Sequence, residues 1–68
     1  MNAATAPAPL LYTVPEALDM LRMGRTQFYA QVNAGRIRIV KQGKATRVTA
    51  DDLAAYVQLL KQEAGESL

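Results

Sequence analysis

The residue types that could do chemistry in this chain are cations, and they are concentrated in one segment. Seven of the eight Lys and Arg residues lie between positions 22 and 47, and the six Asp and Glu residues all lie outside that interval. The seven are Arg22, Arg25, Arg36, Arg38, Lys41, Lys44 and Arg47. A block of one sign in a small folded chain is typical of a surface that binds a polyanion such as a nucleic acid. A basic surface that has no partner explains the charge equally well.

Catalysis is the chemistry that the composition favours least. The chain contains no His and no Cys, which removes the commonest general base, the commonest metal ligand and any thiolate. An enzyme would need paired carboxylates in a cleft, and the adjacent Asp51 and Asp52 are better explained as first-turn residues of a helix. We therefore predict no catalytic residue, no metal site and no cofactor.

The length and the apolar content bound the organisation of the chain. Sixty-eight residues, half of them hydrophobic, allow one small folded domain. No apolar run approaches the ~20 residues that span a bilayer, and the start MNAATAPAPLL lacks the basic region and apolar core of a signal peptide. We therefore expect a cytoplasmic protein without a membrane partner. Residues 1–10 are expected to form a disordered arm, residues 11–61 the domain, and residues 62–68 a frayed tail.

Two short helices with a tight break between them are predicted in the first half of the domain. Thr13 and Glu16 have the spacing of a capping box and begin a helix over residues 14–22. A second helix is predicted over residues 25–34, and Gly35 follows it as a C-terminal cap. This arrangement predicts a helix-turn-helix, whose second helix enters the major groove of DNA.

The second predicted helix has an outward face suited to reading bases. Phe28 and Val32 face inward at a spacing of four residues, and Arg25 lies in the first turn. The residues left on the opposite side are Thr26, Gln27, Ala30 and Asn33, with Tyr29 at the edge. Arg can contact guanine in a bidentate manner, and Gln or Asn can do the same with adenine. Taken singly, Gln27 and Asn33 are more often ordinary polar residues of a soluble helix, so Arg25 is the favoured contact.

The basic block continues into a predicted β-hairpin. Residues 36–48, RIRIVKQGKATRV, alternate apolar and charged residues on both sides of a Gly. A two-stranded hairpin alone is marginal in water, so we expect Ile37 and Val48 to pack against the helices. The pattern leaves open whether Ile39 or Val40 faces inward.

A third helix is predicted after the hairpin. Thr49 can cap it, and Asp52 occupies the capping-box position. The predicted apolar face consists of Leu53, Tyr56, Val57 and Leu60. We interpret Tyr56 and Leu60 as core residues. The alternative is an exposed apolar edge at Tyr56, Leu59 and Leu60, which would favour a protein-interaction adaptor.

In this order, the elements of residues 10–57 resemble the excisionase-type DNA-binding domain, a small winged helix-turn-helix related to the N-terminal domain of MerR regulators. The resemblance rests on an ordered set of positions and covers about 48 of 68 residues without a gap. The positions are Thr13, Glu16, Ala17, Leu21, Arg25, Tyr29, Gly35, Gly43, Lys44, Arg47, Asp52, Leu53 and Tyr56. The fold that it implies is mostly α with a small β-hairpin, in the order α-α-β-β-α.

The chain departs from the family pattern at four positions. Arg22 stands where the family usually has Gly, and Gly24 stands where it often has a Ser that caps the second helix. Ala30 occupies a helix position that is frequently Arg, and Ala45 a wing position that is often basic. The family's specificity residues therefore do not transfer to this chain position by position.

The resemblance implies a function in binding double-stranded DNA. The implied contacts of the recognition helix are Arg25, Thr26, Gln27, Tyr29, Ala30 and Asn33, and those of the wing and backbone are Arg22, Arg36, Arg38, Lys41, Lys44 and Arg47. Family members of this size are often recombination directionality factors, which bind and bend attachment-site DNA and steer an integrase towards excision. The implied partners are DNA, an integrase and further copies of the chain on DNA, in a bacterial or phage-encoded, nucleoid-associated protein. A small transcriptional regulator of the same fold and a protein-interaction adaptor are the alternatives.

Overall fold

The structure of the chain, a computed structural model, describes residues 9–67. Its elements follow in the order β1 (Leu11–Thr13), α1 (Val14–Leu21), α2 (Arg25–Asn33), β2 (Val40–Gln42), β3 (Ala45–Thr49) and α3 (Ala50–Ser67). The mostly helical winged helix-turn-helix is confirmed, with one strand added before the first helix. Most of the predicted N-terminal arm, residues 1–8, lies outside the described residues.

The start of α1 has the predicted capping box. The Thr13 backbone N–H donates to Oε1 of Glu16 over 2.8 Å, and the Glu16 N–H donates to the Thr13 hydroxyl over 3.2 Å. The hydrogen bond from the Thr13 backbone is the main cause that lowers the pKa of Glu16, and the bond with the Thr13 hydroxyl is the next. The charge of Arg47 acts in the same direction. Two donors that the first turn would leave without partners are therefore satisfied by local side chains.

The α1–α2 connection is a tight reversal around Arg22. The Arg22 N–H donates to the carbonyl of Asp19 over 3.3 Å, and the Met23 N–H donates to that of Leu18 over 3.1 Å. This pair of bonds is a Schellman motif, which requires a left-handed residue directly after the helix. Arg22 takes that conformation, with φ 58° and ψ 48°. It is the position at which the family usually has Gly, so the sequence departure falls on a strained backbone site.

Helix α2 follows directly. Gly24 is its N-cap and makes no side-chain capping bond, as expected where Gly replaces Ser. At the other end Gly35 has φ 79°, which confirms its predicted role after the helix. The observed boundary is Asn33, one residue before the predicted end.

The three strands form one antiparallel sheet in the order β1-β3-β2. Strand β3 pairs with β2 through Lys41 opposite Thr46, and with β1 through Tyr12 opposite Val48. Gly43, with φ 64°, lies in the β2–β3 turn. The hairpin was predicted, whereas β1 was not, because its pairing with β3 joins distant parts of the sequence. The extra strand gives the hairpin a third partner, which an isolated hairpin needs for stability.

The core lies where the three helices meet the inner face of the sheet. Its buried residues are Val14, Ala17, Phe28, Ile37, Val48, Leu53 and Tyr56. Ile37 and Val48 are packed as predicted, and Ile39 packs against the core while Val40 is exposed. Each large apolar side chain buried here contributes about 1.5–3 kcal/mol to stability. Together they join every helix to the sheet.

Helix α3 differs from its prediction in length and in its apolar face. The Asp52 N–H donates to the Thr49 hydroxyl over 2.9 Å, so the predicted cap is present. Tyr56 is buried as predicted, but Leu60 is 40% exposed and Val57 39% exposed. The assignment of Leu60 to the core is therefore wrong. Helix α3 continues through Ser67, so residues 62–67 of the segment expected as a tail are helical, and residue 68 lies outside the described residues.

The left-handed Arg22 yields a stability prediction. We expect Arg22→Gly to be more stable than Arg22→Ala by about 1 kcal/mol, because both remove the guanidinium but only Gly takes φ 58° without a Cβ clash. Urea unfolding followed by circular dichroism measures the difference. Equal stability of the two variants would show that the backbone of Arg22 is unstrained.

Candidate nucleic-acid interface

The outward face of α2 is set by what the helix buries. Phe28 is fully buried and Val32 packs partly against the core. The residues predicted to face solvent, Arg25, Thr26, Gln27, Ala30 and Asn33, are all exposed. Within the described residues, the Arg25 side chain makes no hydrogen bond or ion pair. The helix therefore has an exposed Arg25 without a partner among the described residues at its first turn, and small and polar side chains follow along one face.

Tyr29 has a different environment from the other predicted helix contacts. Its ring packs edge-to-face on Phe28, with centroids 5.2 Å apart and an interplanar angle of 88°. The side chain is half-buried and contacts the core. Such an aromatic pair adds about 0.5–1.5 kcal/mol beyond the area that it buries. Tyr29 thus helps to hold α2 against the core.

Arg22 and Gln27 line the same open groove at the helix-turn-helix bend, together with Asp19 and Met23. The backbone reversal at Arg22 brings this cation beside the first turns of α2. Asp19 contributes a negative charge to the groove, which partly offsets the cation. Arg22 and Gln27 belong to different predicted helices, so only the fold shows that they share a surface.

The cations of the predicted wing do not form one patch. Arg38 and Lys44 are exposed and have no hydrogen-bond or ion-pair partner among residues 9–67. Lys41 is exposed, with its Nζ 2.8 Å from the Thr46 hydroxyl, on the sheet face that also carries Val48. Arg47 is half-buried on the opposite face and donates to the carbonyl of Thr46 over 3.1 Å. The two exposed cations without partners are therefore at the start of the wing and at its turn.

Arg36, the remaining predicted wing contact, is engaged inside the protein. Its guanidinium forms an ion pair with Glu63 of α3, and its Nε donates to Oε1 of Gln31 over 2.5 Å. Hydrogen bonding to Glu63 raises the pKa of Arg36, and the same bond lowers the pKa of the carboxyl of Glu63. Sequence reasoning missed both partners, because Glu63 was assigned to a frayed tail and Gln31 carries no distinguishing signal.

An apolar groove lies between the end of α1 and the first half of α3. Its volume is about 260 Å³, and its lining residues are Tyr12, Met20, Leu21, Ala50, Leu53, Ala54 and Val57. Met20, half exposed, and Val57 are its most exposed large side chains. The predicted apolar edge of α3 was placed at Tyr56, Leu59 and Leu60; the groove instead includes Val57 and residues of α1.

The described part of the chain shows neither a metal-binding cluster nor a membrane-spanning helix. Residues 9–67 contain no group of three or more acidic side chains arranged to hold a metal ion. In the same range, no helix combines the length and the apolar character needed to cross a membrane.

Comparisons with known proteins agree with this geometry. Residues 11–58 match the family described as the helix-turn-helix domain. The chain is also 33% identical over 54 residues to a protein named excisionase from Streptomyces ambofaciens, covering 79% of this chain and 87% of that relative. No solved structure matches the chain with statistical significance. The matched family, the relative and the exposed face of α2 with Arg25 at its first turn lead to one assignment: the chain belongs to the excisionase-type helix-turn-helix DNA-binding domains.

Proposed function

We propose that this protein is a recombination directionality factor, which binds and bends attachment-site DNA and steers an integrase towards excision. The observation that carries the proposal is the similarity to an excisionase over 87% of that protein's length. In the proposed complex α2 lies in the major groove, and the wing follows the adjacent backbone or minor groove. The protein itself contributes no catalytic step and acts among the nucleoid proteins of a bacterial cell.

The contacts proposed for DNA divide into two groups by chemistry. The first group lies on α2, faces or borders the major groove of DNA in the proposed complex, and reads the bases. Its members are Arg25, Thr26, Gln27, Tyr29, Ala30 and Asn33. Arg22, Arg38, Lys41, Lys44 and Arg47 supply phosphate contacts, which position the protein without reading sequence. Arg25 is the central residue of the first group, because it is exposed and unpaired among the described residues and its side chain can bind guanine in a bidentate manner.

A protein-interaction role is the second candidate, and the apolar groove favours it. Met20 and Val57 expose apolar surface away from α2, where an integrase or a neighbouring copy can dock. Salt dependence distinguishes the two roles. Phosphate contacts weaken steeply as salt rises, whereas apolar contact between proteins persists. A directionality factor uses both surfaces, so the roles are compatible.

Footprinting on the DNA that flanks the protein's own coding region tests the proposed function. We expect protection of tandem repeats beside an integrase attachment site, because a directionality factor binds where the recombination complex assembles. Protection confined to a promoter would favour the transcriptional regulator instead. Absence of any protected sequence would contradict both.

The phosphate role of the wing predicts a change in salt dependence. Lys44→Gln should reduce the slope of log affinity against log salt by about 0.9, the value expected for one lost phosphate contact. Lys61→Gln is the matched control, since Lys61 is an exposed cation on α3 outside the basic segment. Fluorescence anisotropy with a duplex selected from a random library gives both slopes. An unchanged slope for Lys44→Gln would exclude the turn of the wing from the interface.

The readout role of Arg25 predicts a loss of discrimination. Arg25→Lys keeps the charge but removes the bidentate fork, so binding to the selected duplex should weaken by about 1–3 kcal/mol. Binding to a scrambled duplex should change little, because phosphate attraction is retained. Competition between the two duplexes measures the ratio. An equal loss on both duplexes would place Arg25 on the backbone instead of on a base.

A further inference from the structure

Arg36 occupies the junction between the recognition helix and the wing. It follows Gly35, and its backbone N–H donates to the carbonyl of Gln31 over 2.9 Å. The next residue, Ile37, is buried in the core. Backbone and side chain of Arg36 therefore lie at the C-terminal end of α2, within a segment held by the core.

The Arg36 guanidinium bonds to two helices at once. Its Nη2 donates to Oε1 of Glu63 over 2.6 Å, while Nη1 pairs with the second carboxylate oxygen. The Nε donates to Oε1 of Gln31 on α2. A bidentate pair with a carboxylate is directional and restricts how the two groups can rotate. One side chain thus joins the last turns of α2 to the distal part of α3.

The ion pair is too exposed to be a major source of stability. The side chains of Arg36 and Glu63 are 31% and 41% exposed, and partly solvated pairs add little to the free energy of folding. What the pair can do is select one orientation of α2 relative to α3. That orientation matters because α2 carries the side chains proposed to read bases.

We propose that Arg36 is a positioning residue for DNA binding, which orients the recognition helix through Gln31 and Glu63 and does not contact phosphate. The inference rests on the proposed DNA-binding function. It changes the role expected for one of the wing cations, because a guanidinium held by a carboxylate is neither free nor a net positive charge at the surface. It also implies that the C-terminal turns of α3, which carry Glu63, help to orient the recognition helix.

A charge swap tests this role, using the full chain and a duplex selected from a random library. Arg36→Glu and Glu63→Arg should each weaken binding about threefold to tenfold, because each places like charges together and releases α2. The double variant Arg36→Glu/Glu63→Arg has the net charge of the wild-type protein and re-forms the pair. It should bind within about twofold of the wild-type affinity, with an unchanged salt slope.

The sign of the Glu63→Arg effect separates positioning from phosphate contact. A phosphate-binding Arg36 predicts that Glu63→Arg strengthens binding and that the double variant is as weak as Arg36→Glu; either result overturns the proposal. Glu66→Arg is the matched control, with the same charge change on an exposed residue of α3, and it should not weaken binding.

Separate control measurements distinguish a variant that does not fold from one that folds and binds DNA weakly. Circular dichroism verifies that each variant is folded, and Glu63→Gln provides a milder second variant, which should weaken binding if Arg36 positions α2 and strengthen it if Arg36 binds phosphate. Wild-type protein that binds no DNA would overturn the proposed function itself. Wild-type binding without rescue by the double variant would overturn only the role of Arg36.

Discussion

The burial of Phe28 is the interaction on which the DNA-facing geometry depends. Its ring is fully buried, and Tyr29 packs against it edge-to-face. Because side chains three or four positions apart share one side of a helix, an inward Phe28 fixes the rotation of α2 about its axis. The exposed face on the opposite side, with Thr26, Ala30 and Asn33, is a consequence of that rotation. The apolar core thus determines which polar residues are available to DNA.

The direction of α2 is set by the α1–α2 turn, which is closed by backbone bonds and not by a side-chain cap. The Schellman motif ends α1 with Arg22 in the left-handed region, and Gly24 then begins α2 without a capping side chain. Both positions are locally unfavourable compared with a Gly and a Ser in the same places. A cation at Arg22 is retained at the mouth of the groove that Gln27 lines. The turn is therefore less stable than it would be with Gly at position 22 and Ser at position 24, but it carries a positive charge beside the recognition helix.

Local patterns in the sequence predict most of the elements, and non-local contacts account for what they miss. Caps at Thr13 and Thr49 predicted the starts of two helices, since capping bonds join residues three apart. Strand β1 is three residues long and is defined only by its pairing with β3. The ion pair between Arg36 and Glu63 joins residues 27 positions apart. No periodicity or spacing encodes such a contact, so neither the third strand nor the extended α3 could be predicted.

The same distinction applies to the candidate site and bears on how the protein binds DNA. Residues 36–48 contain five cations. The alternation of apolar and charged residues does not show which of these cations bond to other groups of the same chain. Arg36 is held by Glu63, while Lys41 and Arg47 bond to Thr46 from opposite faces of the sheet. Bonds to a hydroxyl and to a backbone carbonyl leave Lys41 and Arg47 charged, whereas the carboxylate of Glu63 balances the charge of Arg36. Within the described residues, the wing therefore keeps the positive charge of four of its five cations, and Arg36 is the exception. In the proposed complex each phosphate contact adds only modestly to affinity, and adjacent copies or a second DNA-bound protein would raise the effective concentration of each contact. A factor that acts within an assembly on DNA, as proposed, gains from linked contacts of this kind.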